Sequence, residues 1–199
     1  MGEPTTIELD GRDLLVVAGL PGAGKTTMLR HAADGIPVLD SDQVRARMRE
    51  VLPGAVAYRW YRPLVHAGHR ARIVGRAVAA EGPVVVHEPA TRASTRALLA
   101  ALGRLTGRRV RMLWLDATAD EALAGQRSRG RLIRERSFAR HVRRAARTRA
   151  ALLSGTVPRG WHSARVVPRS AAAATRLVER KPCVHSGRTK SLRTRRNPA

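Results

Sequence analysis

The chain alternates short apolar segments with longer segments in which apolar residues recur every three or four positions. Apolar runs of this length without polar alternation are typical of parallel strands that are covered on both faces. The predicted strands are Leu14–Ala18, Ile36–Leu39, Val84–Val86, Val110–Leu115 and Ala164–Val167, with a further short strand around Ile7–Leu9 at the edge.

Helical segments separate these strands. The predicted helices run from Lys25 to about Ala33, from the Asp40–Arg45 segment to about Leu52, from Pro63 to about Ala80, from Ser94 to Leu105, from Thr118 to about Arg127, from Ser137 to Leu153 and from Ala171 to Val178. Strands that alternate with helices predict an α/β fold, in which right-handed crossovers connect parallel strands. We therefore expect three layers, with a mostly parallel five-stranded sheet between helices.

The first strand leads into a glycine-rich loop that fits the pattern Gly-x-x-x-x-Gly-Lys-Ser/Thr. Glycines let such a loop adopt unusual φ angles and bring backbone N–H groups close to phosphate oxygens at a helix N-terminus. In this pattern Lys25 reaches the β- and γ-phosphates, and the Thr26 hydroxyl holds Mg²⁺. The predicted triphosphate site comprises Gly19, Leu20, Pro21, Gly22, Ala23, Gly24, Lys25, Thr26 and Thr27.

The distribution of lysine supports this interpretation. The chain has 38 lysine and arginine residues, yet Lys25, Lys181 and Lys190 are the only lysines. Before residue 181, every other basic position apart from histidine is arginine. A lone lysine in an arginine-rich chain is expected where a compact ammonium group is required.

The segment after the second strand carries candidate acceptor-side residues. Asp42 is a candidate general base, and Arg45, three residues later, is a candidate contact to an anionic group of the acceptor. Asp40 is the second candidate for the base and for substrate binding. The alternative is structural, because Asp40 or Ser41 can cap the helix and Asp42 can be a first-turn acid. Residue spacing favours neither interpretation.

Glu88 follows the Val84–Val86 strand, where a Walker B acid would orient Mg²⁺ or its water. The residue directly after the strand is His87 instead of the usual aspartate. Glu88 is therefore a candidate metal-associated residue, and His87 either contacts phosphate or simply ends the strand.

An arginine-rich segment from Arg127 to Arg136 resembles a lid. Arg127 and Arg129 are candidates for stabilising charge on the transferred phosphoryl group, with Arg131 and Arg134 nearby and Gly130 as a bending point. The alternative is a solvated basic face; we favour the lid for Arg127–Arg131 and the solvated face for the arginines beyond it. On the helix after Pro63, residues that can line an acceptor pocket are His66, His69, Arg70 and Arg72.

Composition limits the remaining possibilities. The net charge of +23 suggests an anionic partner, although aromatic residues for stacking bases make up only 3% of the chain. We expect one domain over residues 1–178, followed by a basic, disordered tail over residues 179–199. Apolar runs long enough to cross a membrane are absent, and Cys183 is the single cysteine. These features favour a cytoplasmic monomer without a membrane partner.

The loop Gly19–Thr27, the segment Asp42–Arg45 and the segment Arg127–Arg131 together resemble small P-loop kinases. The similarity is to polynucleotide 5′-hydroxyl kinase domains and zeta-toxin-like kinases, which are often assigned to AAA-family ATPases, and it covers about residues 13–168. The resemblance implies a P-loop NTPase fold with an adenylate-kinase-like sheet and transfer of the γ-phosphoryl of ATP·Mg²⁺ to a hydroxyl. It also implies that Asp42 is the base, that Arg45 contacts an acceptor phosphate and that Arg129 is the lid arginine.

The expected activity is therefore phosphoryl transfer from ATP, with Lys25, Asp42 and Arg129 as the catalytic residues and Thr26 and Glu88 at the metal. Candidate acceptors are a nucleic-acid 5′ end, a nucleotide-sugar and a small metabolite. The charge motivates an alternative, in which an ATP-binding or ATP-hydrolysing protein associates with nucleic acid and has no small-molecule acceptor.

Overall fold

The computed structural model describes residues 5–33, 35–54, 56–130 and 132–180. Its central element is a five-stranded parallel sheet of β2 (Asp13–Ala18), β3 (Val38–Asp40), β4 (Val84–His87), β5 (Arg109–Asp116) and β6 (Ser163–Pro168). The strand order across the sheet is β3-β4-β2-β5-β6. The predicted α/β fold with a mostly parallel five-stranded sheet is confirmed.

Six helices connect and flank these strands within the described residues. They are α1 (Lys25–Ala32), α2 (Ser41–Val51), α3 (Tyr58–Ala79), α4 (Ala93–Thr106), α5 (Ala119–Arg127) and α6 (Glu135–Leu153). The core between sheet and helices consists mainly of aliphatic side chains, with Trp114 as its largest fully buried member. No helix of the described residues combines the length and hydrophobicity needed to cross a membrane.

Two predicted elements differ from the structure by more than two residues. Helix α3 begins at Tyr58, five residues before Pro63, which lies inside the helix. The predicted helix Ala171–Val178 is wrong, because a 3₁₀ helix (Arg169–Ala174) is followed by strand β7 (Arg176–Glu179). Strand β7 pairs in parallel with β1 (Thr6–Leu9) and buries Leu177 against the core. This long-range pairing overrides the helix propensity of the alanine run.

The described part of the chain ends one residue after β7. The backbone N–H of Arg180 donates to the Leu9 carbonyl over 2.8 Å, so the pairing with β1 includes the first two residues of the predicted tail. Residues 181–199 lie outside the described residues, and disorder of the tail stays a prediction.

The glycine-rich loop after β2 packs directly on helix α5. A Cβ atom added at Gly22 would lie 2.0 Å from the Ala122 carbonyl oxygen, and one added at Gly125 would lie 2.3 Å from the Gly22 carbonyl oxygen. Real side chains do not tolerate such distances, so both positions require glycine. The path of the loop is therefore set by backbone contact with α5.

This contact predicts that Gly125→Ala destabilises the protein. The new methyl group must displace the loop or the helix, at a cost of about 1–3 kcal/mol in the free energy of unfolding measured with urea. Gly75→Ala is the matched control, because Gly75 is also helical and an added Cβ would meet nothing within 4 Å. The control should be stabilised by about 0.5–1 kcal/mol. Equal tolerance of the two substitutions would show that the contact does not constrain the loop.

Candidate functional site

The glycine-rich loop forms a cradle at the carboxyl end of β2. Gly19, Gly22 and Gly24 have φ angles of 134°, 97° and 102°, which are favourable only for glycine. Gly24 is the N-cap of α1, and the first intrahelical bond joins the Met28 N–H to the Gly24 carbonyl over 2.9 Å. The backbone N–H groups of the first turn of α1 come before this first helical hydrogen bond. N–H groups at such a helix N-terminus favour binding of an anion.

Lys25 lies buried inside this cradle. Its Nζ donates to the carbonyl oxygens of Gly19 and Leu20, over 3.0 and 2.7 Å. Burial first, and then the charge of Arg129, lower the pKa of Lys25 to about 7, although Glu88 and Asp40 act in the opposite direction. The ammonium form of Lys25 is thus poorly stabilised in the free protein, and the phosphate oxygens of a ligand would supply the missing counter-charge.

Asp40, at the end of β3, is connected to the loop through His87. The Asp40 Oδ2 lies 2.6 Å from the His87 Nδ1, and the same ring nitrogen lies 3.5 Å from the Thr26 Oγ1. Asp40 also caps α2, where it accepts the N–H of Asp42 over 3.0 Å. Although burial acts to raise the pKa of Asp40, His87 and the Asp42 N–H outweigh this effect and lower it to about 2.

Asp42 and Arg45 lie on the first turns of α2, beside this chain of contacts. Asp42 is half-buried, and Asp40 holds its backbone. The Arg45 guanidinium lies 4.1 Å from the centre of the Tyr58 ring, as expected for a cation–π contact. The buried Nε of Arg45 has no hydrogen-bond partner among the described residues. Both side chains of the predicted acceptor pair thus lie at the carboxyl edge of the sheet.

Glu88 reaches the same edge from β4. Its N–H donates to the Val17 carbonyl over 3.3 Å, which aligns Glu88 with the start of the glycine-rich loop. Burial raises the pKa of Glu88, as does the charge of Asp40, whereas Arg70, Lys25 and Arg92 act in the opposite direction. A bound cation would favour the charged carboxylate, so the environment of Glu88 suits a metal-associated residue.

The structure brings His69 to Glu88 and leaves His66 apart from it. The Nε2 of His69 lies 3.7 Å from the Glu88 Oε2, and burial lowers the pKa of His69 to about 4. Neither ring nitrogen of His69 has a hydrogen-bond partner among the described residues. The exposed side chain of His66 accepts a hydrogen bond from the Arg62 Nε over 3.4 Å. His69 therefore faces the predicted metal residue.

The arginine-rich segment follows α5, on the other side of the loop. Arg127 and Arg129 are exposed, Gly130 has a φ of 60°, and Arg131 lies outside the described residues. The Arg129 Nε donates to the Gly125 carbonyl over 2.9 Å. Since the charge of Arg129 contributes to the lowered pKa of Lys25, this arginine lies near the glycine-rich loop.

Gln126 is a site residue that the sequence analysis missed. Its buried side chain donates to the Pro21 carbonyl over 3.0 Å and accepts the Ile133 N–H over 3.0 Å. One amide thus joins the glycine-rich loop to the segment that follows the arginines. A polar residue in an amphipathic helix carries no sequence signal for such contacts, because both partners are backbone groups and Pro21 is 105 positions away in the chain.

Comparisons with known proteins agree with the fold. The family model described as an AAA domain matches residues 14–154. A structure from the PezAT chromosomal toxin–antitoxin system of Streptococcus pneumoniae is similar with a TM-score of 0.57 and 13% identity, over 81% of this chain and 69% of that chain. A candidate kinase from Chloroflexus aurantiacus has a TM-score of 0.54 and 19% identity, over 79% of this chain and 86% of that chain.

A search of curated proteins found no match to this sequence. The two structural similarities show a shared fold, and the family match spans more than half of the chain. The matched residues include the glycine-rich loop and most of the parallel sheet. The chain therefore belongs to the AAA domain family and has the fold of the P-loop nucleotide-binding proteins.

Proposed function

We propose that this protein is a kinase that transfers the γ-phosphoryl group of ATP·Mg²⁺ to a hydroxyl acceptor. The supporting observation is the convergence of donor-side and acceptor-side groups at the carboxyl edge of β2, β3 and β4. Lys25 lies in the loop after β2, Asp40 ends β3 and caps the helix that carries Asp42, and Glu88 follows β4. A ligand at this edge would contact a phosphate cradle and a candidate base at the same time.

On the donor side, the loop Gly19–Thr27 binds the triphosphate. The buried Lys25 exchanges its bonds to the loop carbonyls for bonds to phosphate oxygens, which satisfy the ammonium group better. Arg127 and Arg129 stand beside the loop and neutralise charge on the phosphoryl group as it is transferred. Gln126 keeps the segment after these arginines attached to the loop.

Thr26 and Glu88 are the residues that would hold Mg²⁺. Both lie near His87, since the Thr26 Oγ1 is 3.5 Å from its ring and Glu88 is its neighbour in the chain. Hydroxyl and carboxylate oxygens are suitable ligands, and Mg²⁺ in such sites takes its other ligands from phosphate and water. The ion would neutralise charge on the phosphate oxygens.

On the acceptor side, Asp42 removes the proton of the attacking hydroxyl and Arg45 binds an anionic group of the acceptor. Asp40 is less suited to the role of base, because its pKa of about 2 and its bonds to His87 and to the Asp42 N–H make it a weak proton acceptor. Asp40 instead holds α2, and with it Asp42, in place. The acceptor is a nucleic-acid 5′ end, a nucleotide-sugar or a small metabolite.

We predict that Asp42→Asn lowers the rate of phosphoryl transfer by about 10²–10⁴-fold while ATP affinity is unchanged, since loss of a general base affects the chemical step. The measurement is a transfer assay with γ-labelled ATP and a panel of acceptors that includes oligonucleotide 5′ ends. Glu50→Gln is the matched control, because Glu50 is an exposed carboxylate at the other end of the same helix. Normal transfer by Asp42→Asn would refute its role as base.

The same assay separates the proposal from the alternative that the charge of +23 suggests, an ATP hydrolase associated with nucleic acid. A kinase gives labelled acceptor, and its transfer depends on Asp42. A hydrolase gives only labelled phosphate with every acceptor, and nucleic acid changes that rate in a salt-dependent manner.

We further predict that ATP binding takes up close to one proton per site at pH 8.5. In the free protein the pKa of Lys25 is about 7, so most Lys25 side chains are neutral at this pH. Phosphate oxygens raise this pKa and the amine becomes protonated. Calorimetric titrations with ATP in Tris and in HEPES, which differ in ionisation enthalpy, measure the uptake. The Asp42→Asn variant should retain the proton uptake, and the Lys25→Ala variant should lose ATP turnover. Identical binding heats in the two buffers would contradict the proposed contact between Lys25 and phosphate.

A further inference from the structure

A cavity of about 370 Å³ lies between the segment after β4, the start of α4 and helix α6. Thr91 and Arg96 line it from the side of β4 and α4, and Arg144 and Leu152 line it from α6. Neither Lys25 nor any other residue that the proposed kinase reaction uses is among its lining residues. Small-molecule sites begin at about 300 Å³, so the cavity can hold a ligand of modest size.

Much of the cavity wall is apolar. Its apolar lining residues are Ala93, Ala151, Leu152 and Pro158. The start of α4 is fixed against the segment that follows α6, because the Trp161 Nε1 donates to the Arg96 carbonyl over 3.1 Å. A ligand with an apolar body would remove the apolar wall from water, whereas a bare inorganic anion would leave most of it hydrated.

The charged residues of the cavity are all cationic. They are Arg96, Arg144 and Arg147, and no described aspartate or glutamate lines the cavity with them. Arg96 belongs to the first turn of α4, whose N-terminus has no side-chain cap, so the helix dipole adds to the positive potential. Three guanidinium groups without a carboxylate favour a ligand that carries more than one negative charge.

Arg96 is held in place, but its guanidinium is only partly satisfied. Its Nη1 donates to the Ala90 carbonyl over 2.9 Å, which is the only hydrogen bond of this guanidinium within the described residues. Ala90 is buried and has a φ of 49°, in the left-handed region that residues other than glycine rarely adopt. Burial lowers the pKa of Arg96, and no carboxylate of a described residue offsets this effect. An anion in the cavity would therefore meet a pre-positioned arginine that still has N–H groups to donate.

The two cavity arginines of α6 differ from Arg149 on the same helix. The Arg149 Nε donates to both carboxylate oxygens of Asp116, over 2.8 and 2.9 Å. Arg144 is half-buried and Arg147 is exposed, and neither side chain has a hydrogen bond or an ion pair within the part of the chain that the structure describes. Helix α6 thus contributes two uncompensated guanidinium groups to the cavity.

We propose that this cavity binds an organic phosphate monoester, with the phosphate held by Arg96, Arg144 and Arg147 and the apolar part of the ligand against the apolar wall. A phosphate dianion matches the three guanidinium groups better than a carboxylate monoanion does. The cavity is separate from the site of phosphoryl transfer, so this second site does not depend on the identity of the acceptor.

The test is a calorimetric titration of the full-length protein with phenyl phosphate, without nucleotide, at about pH 7.5, where the phosphate is mainly a dianion. Inorganic phosphate lacks the apolar part, and benzoate has the ring but a single charge. We expect phenyl phosphate to bind at least about tenfold more tightly than inorganic phosphate, because burial of the ring adds to the ionic contacts. We expect it to bind at least about threefold more tightly than benzoate. Equal or tighter binding of either control overturns the proposal, and benzoate as the tightest ligand would indicate a carboxylate site instead.

Two matched variants of α6 locate the binding site. Arg144→Gln removes a lining guanidinium and should weaken binding of phenyl phosphate at least about tenfold, with Arg96→Gln as a second cavity variant if the first does not fold by circular dichroism. Arg143→Gln makes the same change at an exposed neighbour that does not line the cavity, and it should alter the affinity less than about twofold. Equal effects of the cavity and control variants overturn the proposal.

The Lys25→Ala variant separates this site from the glycine-rich loop. It should bind phenyl phosphate within about twofold of the unsubstituted protein, although it loses ATP turnover. Binding that Lys25→Ala abolishes and Arg144→Gln retains would place phenyl phosphate in the glycine-rich loop and overturn the proposal. Failure of the kinase proposal is a separate result, because it is measured by the transfer assay with Asp42→Asn.

Discussion

The site depends on a backbone contact between the glycine-rich loop and helix α5. Gly22 and Gly125 approach so closely that a Cβ atom at either position would overlap a carbonyl oxygen. This contact sets the path of the loop before any ligand is present, and Gln126 extends it by bonding to Pro21 and Ile133. Because α5 leads directly into the arginine-rich segment, the same contact connects the glycine-rich loop with the start of that segment. Pre-organisation of this kind reduces the entropy cost of binding a flexible triphosphate.

The site also contains four largely buried ionisable side chains whose charges partly offset one another. Lys25, Asp40, Glu88 and His69 lie close enough to influence one another, and burial opposes the charged form of each. Only Asp40 has enough hydrogen bonds to keep a strongly acidic carboxylate. Phosphate would stabilise the charged form of Lys25, and a cation would stabilise the charged form of Glu88. The free protein therefore has an electrostatic deficit that ATP·Mg²⁺ would correct, which is the physical basis of the proposed kinase activity.

The sequence predicted the sheet and most of its connections because its strands are short, mainly apolar runs between clear helix signals. Leu14–Ala18 and Val84–Val86 are uninterrupted examples, and both lie inside observed strands. The predicted helix at Ala171–Val178 was wrong for the complementary reason. An alanine run favours a helix locally, but Leu177 gains more by pairing beside Ile7 and joining the core, and that partner is about 170 residues away in the chain.

The sequence by itself determined the glycine-rich loop, its single lysine and the strand ends at which Asp40, Asp42 and Glu88 occur, because these features depend on local spacing and on the parallel topology. Tertiary structure alone decided which of these groups contact one another. It joined Asp40 to His87, brought His69 to Glu88 and made Gln126 a bridge to Pro21. The partners in these contacts are 19 or more positions apart in the chain, so the contacts arise only when the helices have packed on the sheet.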